Sequence, residues 1–168
     1  MNKLAKTLVL LPALMVLSAC NLSDLGIPQK YKSFKSAVEK IKDQEYSKAY
    51  VTGRKDSFED LDETYNYNSG AWVADPENTT DQLGMYIIKV QDLVTEIDKT
   101  YSDDKIESNF KFYVGINVYK IEFSESEGRD TTTFTYKYNQ YGYPTFLNRK
   151  VSIKGSVTSS VECNFSYE

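Results

Sequence analysis

Thr131-Thr132-Thr133-Phe134-Thr135-Tyr136-Lys137-Tyr138-Asn139-Gln140-Tyr141-Gly142-Tyr143-Pro144-Thr145-Phe146-Leu147 decides the fold. Phe134, Tyr136 and Tyr138 fall on one side of an extended chain, with Thr133, Thr135 and Lys137 on the other, the period of a half-buried strand. Gln140 to Pro144 turns the chain, and alternation resumes through Leu147, Val151 and Ile153 against Asn148, Lys150 and Ser152. A further turn at Gly155 leads to Val157, Val161, Cys163, Phe165 and Tyr167. Upstream, Phe110, Phe112, Val114, Ile116 and Val118 alternate with Lys111, Tyr113, Gly115 and Asn117, and the apolar phase then passes to Tyr119, Ile121 and Phe123. A one-residue phase change in so long a strand predicts a bulge or twist. Four consecutive strands joined by short turns predict an antiparallel meander with one face on a helix layer.

Two helices are expected ahead of the meander. In Ser33 to Tyr50, Phe34, Val38, Ile41, Glu45 and Lys48 recur at helical spacing, widened by Ala37 and Ala49 and ended by Gly53. Leu83, Tyr86, Ile87, Val90, Leu93, Val94 and Ile97 form the cleanest apolar stripe in the chain, with Thr79 or Thr80 as cap, Asp81 at its amino end and Lys99 at its carboxyl end. Between them, Arg54 to Glu63 reads as an acidic solvated turn that lacks the spacing of a calcium loop. Thr64 to Asn68, the turn Ser69-Gly70 and Ala71 to Val73 read as two short strands.

The amino-terminal stretch has a different character. Lys3 and Lys6 precede the apolar run Leu8 to Leu17, followed by Ser18, Ala19 and Cys20. That run is well short of the roughly 20 residues needed to span a bilayer and has the layout of an export signal. Leu17-Ser18-Ala19-Cys20 resembles the lipobox of bacterial lipoprotein precursors. The resemblance covers residues 1–20 and implies removal of residues 1–19, diacylglycerol on the Cys20 thiol and attachment to a membrane through that lipid. An ordinary secretory peptide with a chance cysteine is the alternative. Residues 20–30 then serve as lipidated cysteine and tether, and 31–168 as a single domain. Asn21, where an aspartate would resemble an inner-membrane retention signal, leaves the periplasmic or outer-surface destination to the envelope type.

Composition narrows the function classes. The chain holds 20 Lys plus Arg against 24 Asp plus Glu, and removal of Lys3 and Lys6 takes the net charge from −4 to −6. An acidic surface without a basic run argues against nucleic acid and against a polybasic membrane patch. With no histidine, imidazole-based acid–base catalysis and the usual zinc sites are excluded. Asp92, Glu96 and Glu122 show no spacing that makes a catalytic pair, and no G-x-S-x-G nucleophile pattern occurs. Neither enzymatic activity nor a cofactor is expected. Cys163 alternates with Val161 and Phe165 and reads as a small buried apolar residue.

The expected architecture is α+β: two helices on a curved, mainly antiparallel sheet that ends in a four-strand meander. It is loosely similar to the half-open sheet of lipoprotein carriers and lipid-binding lipoproteins, and alternatively to a cystatin-like helix on a four-stranded sheet. Fourteen Tyr, eight Phe and one Trp are enough to line a binding surface. Tyr113, Tyr119 and Phe146 are candidates for a concave face that holds an apolar ligand. Trp72 and the turn residues Tyr141 and Tyr143 are candidates for contact with an envelope protein. The expected role is therefore non-enzymatic binding, with a structural or inhibitory accessory role as the alternative and an envelope hydrolase as a more remote one.

Overall fold

The computed structural model describes residues 28–77, 83–102, 109–116 and 118–168. Helix α1 (Gln29–Val38) leads into strands β1 (Lys48–Lys55), β2 (Glu59–Asn68) and β3 (Ala71–Ala74). A 3₁₀ turn (Leu83–Tyr86) and helix α2 (Val90–Ser102) follow, then β4 (Asn109–Gly115), β5 (Val118–Glu127), β6 (Asp130–Tyr138), β7 (Pro144–Ile153) and β8 (Ser156–Tyr167). All eight strands form one antiparallel sheet in the order β3-β2-β1-β8-β7-β6-β5-β4. The segment containing the 3₁₀ turn and α2 connects one edge strand, β3, to the other, β4. This is an α+β arrangement dominated by antiparallel sheet.

The hairpins follow from local backbone chemistry. Ser69-Gly70 and Lys154-Gly155 have φ values of 51° and 88°, and of 53° and 84°. Their registers, Asn68 opposite Ala71 and Ile153 opposite Ser156, are those of two-residue turns whose left-handed conformations match the twist of the flanking strands. The segment expected to be a solvated acidic turn is instead a strand end, a turn and a strand start. Asp56 there donates its backbone N–H to Ser160 O (2.8 Å), and its side-chain Oδ1 accepts Ser160 N–H (2.7 Å), which ties the turn to β8 beyond the end of the β1–β8 ladder.

Three other expectations change, the first two because strand pairing overrides a local pattern. The first helix stops at Val38 rather than Tyr50, and Ala49 belongs to β1, where it is fully buried between Tyr65 and Tyr167 in register. Gly53 is accordingly no helix end. It lies in β1 opposite Cys163, where an added Cβ would stand 2.1 Å from Glu162 O. The expected bulged strand over 110–123 is a hairpin, β4 and β5, with Gly115 opposite Val118, so the phase change marks a reversal and the meander has five strands. The second helix is preceded by the 3₁₀ turn rather than continuous with it. Gly84 in that turn lies so close to Tyr65 that a Cβ would come within 2.8 Å of the ring. The expected caps Thr79 and Thr80, with Asp81, lie outside the described residues, as do Cys20 and the tether up to residue 27. Gln29 and Lys30, assigned to the tether, already belong to α1, which Pro28 opens by accepting Tyr31 N–H (2.9 Å).

The core lies between one sheet face and the helices. Every residue of the second apolar stripe, from Leu83 to Ile97, is buried. Tyr31 and Phe34 of α1 pack on Phe112 of β4 with ring centroids 4.9 and 5.1 Å apart, and Phe34 also meets Tyr119 edge-on at 6.1 Å. The Tyr31 hydroxyl lies 2.6 Å from Asp98 Oδ1, and Lys35 Nζ 2.6 Å from Oδ2 of the same carboxylate, tying α1 to α2. Ile121, Leu147, Tyr136 and Cys163, all 2% exposed or less, fill the middle of the face. Burial of such side chains contributes about 1.5–3 kcal/mol each. One acid lies among them: Glu63 is buried and accepts a hydrogen bond from the Tyr65 hydroxyl, which itself accepts Leu83 N–H at 2.9 Å.

Candidate functional site

Aromatic side chains from five parts of the chain gather at one end of the sheet. Register brings three of them together. Tyr67 of β2 stands opposite Trp72 of β3, with rings 5.1 Å apart, and Tyr167 of β8 lies beyond Ala49 in the adjoining strands. Trp72 lies 6.0 Å from Tyr167 and 6.5 Å from Tyr143. Tyr46, in the connection before β1, stacks on Tyr167 at 5.2 Å and meets Tyr143 edge-on at 4.9 Å and Tyr141 at 6.5 Å. Edge-to-face and offset contacts of this kind add about 0.5–1.5 kcal/mol per pair beyond burial.

The β6–β7 turn that carries Tyr141 and Tyr143 is fixed by its own polar atoms. Asn139 Oδ1 accepts the backbone N–H groups of Tyr141 and Tyr143, both at 3.0 Å. Gly142 takes a φ of 83° and accepts Val90 N–H at 2.8 Å, which docks the start of α2 against the turn. Its missing side chain matters, because a Cβ there would lie 2.2 Å from Gln91 Oε1. The Tyr167 hydroxyl donates to Pro144 O at 2.6 Å and closes the cluster from below.

A cation, Lys89, borders the rings. Lys89 Nζ stands 4.7 Å from the centre of the Tyr143 ring and 3.5 Å from Asp43 Oδ1. Burial pulls its ammonium down, but Tyr143 and Asp43 outweigh that effect and hold it above its ordinary value. Burial pushes the Tyr167 and Tyr46 hydroxyls up, so neither of these two is ionised at neutral pH.

The candidate residues thus divide into three places. Trp72, Tyr141 and Tyr143 converge here, Trp72 and Tyr141 half-buried and Tyr143 buried beneath them as support. Tyr119 is on the helix-bearing face under α1. Tyr113 and Phe146 do not line that face: strand alternation sends them to the opposite, outer side. There Lys120 lies 4.8 Å over Tyr113 and Lys137 4.9 Å over Phe146. Tyr113 and Phe146 thus lie opposite the core, as their alternation requires, whereas Tyr119, read on the same face as Tyr113, is carried to the helix-bearing face by the β4–β5 reversal. Tyr46, Tyr67, Tyr167 and Lys89 were missed as members of the cluster; cross-strand register places Tyr67 and Tyr167, whereas Tyr46 and Lys89 arrive on connections.

Carboxylates do not assemble in the same way. Glu122 sits on the outer face with Lys120 Nζ at 2.6 Å, whereas Asp92 and Glu96 are on α2 at the other side of the sheet. The Lys120 ammonium holds the Glu122 carboxyl below its ordinary value. Among the described residues no group of three His, Cys, Asp or Glu side chains could hold a metal ion, and no helix is long and apolar enough to cross a membrane. Comparison with protein-family models finds no match to this chain, and comparison with curated proteins finds none either.

Proposed function

We propose that the protein is a lipoprotein of the bacterial cell envelope, acylated at Cys20, which works by non-enzymatic binding and holds a protein partner at the aromatic end of its sheet. The observation that carries this reading is the convergence of Trp72 and Tyr141 with Tyr46 and Tyr67 on one surface, Tyr67 being 50% exposed. Tyr and Trp give large contact area at small cost in side-chain entropy and dominate the energetics of many interfaces. The buried Tyr143 and the half-buried Tyr167, whose hydroxyl is held by Pro144 O, support that surface from beneath. An apolar ligand beneath the helices is less favoured, because Tyr31, Phe34, Ile97, Ile121 and Leu147 already occupy that space at 2% exposure or less.

The test uses the acylated full chain in native membranes. A photo-crosslinking residue at Tyr67 is expected to capture a discrete partner, and one at Thr158, exposed on β8, is not. Trp72→Ala should remove the crosslink while the chain stays at the membrane. Capture of the same species from both positions, or undiminished capture by the Trp72→Ala variant, would refute the site. Cys20→Ser tests the anchor separately: the chain should leave the membrane fraction, and retention after signal cleavage would refute lipid attachment.

A further inference from the structure

Strand β4 is an edge of the sheet, and the hairpin it forms with β5 is unusually apolar at its surface. Tyr113, Val114, Ile116 and Val118 are 46, 53, 94 and 46% exposed. Edge strands offer a row of N–H and C=O groups to any extended chain, and proteins ordinarily blunt them with charge, proline or a bulge. Lys111 is the only charged residue in β4, which contains no proline, and its register with β5 is uninterrupted from Asn109 to Gly115.

We propose that β4 pairs antiparallel with β4 of a second copy about a two-fold axis through Phe112, joining two eight-stranded sheets. The strand is self-complementary in that register. Residues on the same face of an antiparallel pair oppose one another. A centre at Phe112 therefore sets Phe112 against Phe112 of the second copy, Phe110 against Val114, and Lys111 against Tyr113, using the whole length of β4. Lys111 meets a tyrosine ring on the outer face, the contact that Lys120 already makes with Tyr113 within one chain. Phe110, packed on the core, covers a valine otherwise open to solvent. A centre one residue earlier would set Lys111 against Lys111 and is opposed by like charge. The symmetry is that of an isologous dimer, which closes and leaves no β4 edge for further growth.

Cysteine pairs read the register directly, because opposed residues in an antiparallel pair come within disulfide reach while diagonal ones lie beyond it. Both positions are on the outer face, away from the core. In the acylated full chain, Lys111→Cys and Tyr113→Cys expressed together should give an oxidised dimer at least about fivefold more abundant than either alone. Cys163, buried, provides an internal background. Tyr113→Lys, which sets two lysines opposite one another, should abolish the concentration-dependent dimer seen by light scattering in detergent micelles while leaving the far-ultraviolet spectrum unchanged. Equal crosslinking in the mixed and single-cysteine samples, a wild-type chain monomeric at every concentration, or a Tyr113→Lys dimer as stable as wild type would each overturn the proposal.

Discussion

Gly53→Ala should be among the most damaging single-methyl additions in the domain. Gly53 lies where β1 meets β8, the seam through which β1, β2 and β3 join the five-stranded meander. A Cβ built there stands 2.1 Å from Glu162 O, 2.6 Å from Cys163 Cα and 2.8 Å from Cys163 Cβ. The first two atoms are backbone, so no side-chain rotation relieves them. Carbon and carbonyl oxygen approach no closer than about 3.3 Å even in favourable contacts, so the strands must part locally by roughly 1 Å. Overpacking of this kind costs about 1–3 kcal/mol, and we expect the upper end because two strands rather than one rotamer must move. With a urea m of about 1.5–2 kcal/mol/M the midpoint should fall by about 1.5–2 M. Gly128→Ala is the matched control. Gly128 has a φ of 63° but open space around it, so alanine there meets only the left-handed penalty of about 1 kcal/mol. Urea titrations followed by circular dichroism and by fluorescence of Trp72 would measure both, with coincident transitions checking two-state behaviour. A loss for Gly53→Ala no larger than that for Gly128→Ala would refute the reasoning from close approach at the seam.

Burial pushes the Cys163 thiol up to about 12, so at neutral pH it is protonated as well as shielded; iodoacetamide should label it only in unfolded chain, and rapid labelling of the native protein would contradict that placement. Glu125 is raised by burial, an effect that Arg149 only partly offsets. A carboxyl whose folded value is raised stabilises most below its unfolded value of about 4.5 and loses that contribution as pH rises through the folded value. Glu125→Gln should therefore raise Tm at pH 7, with the gain shrinking as pH falls through the folded value toward about 4.5 and levelling off below it; no gain at pH 7, or one that grows on acidification, would be the contrary result.

Much of the sheet was legible in the sequence because alternation is a local property. Phe134, Tyr136 and Tyr138 are buried as their spacing requires, and Val161, Cys163 and Phe165 repeat the pattern in β8. The stripe from Leu83 to Ile97 identified a buried face correctly while misreading its geometry, since a 3₁₀ turn followed by a helix can bury the same residues as one continuous helix. Ala49 and Val51 were harder to place, because two alternating apolar residues fit a helix or a strand until a partner strand is known.

The sequence by itself determined the two sides of most strands, the turns at Ser69-Gly70 and Gly155, the acidic charge and the absence of histidine. These depend on residue type and on neighbours a few positions away. Only the tertiary structure decided that β1 pairs with β8, and hence that Tyr46, Tyr67, Trp72, Tyr141, Tyr143 and Tyr167 share one end of the sheet. It also decided that Tyr119 packs under α1 while Tyr113 and Phe146 stay on the outer face. Those placements depend on pairing register between residues more than a hundred positions apart, as for Ala49 and Tyr167. A one-residue shift in register moves every side chain of a strand to the other face.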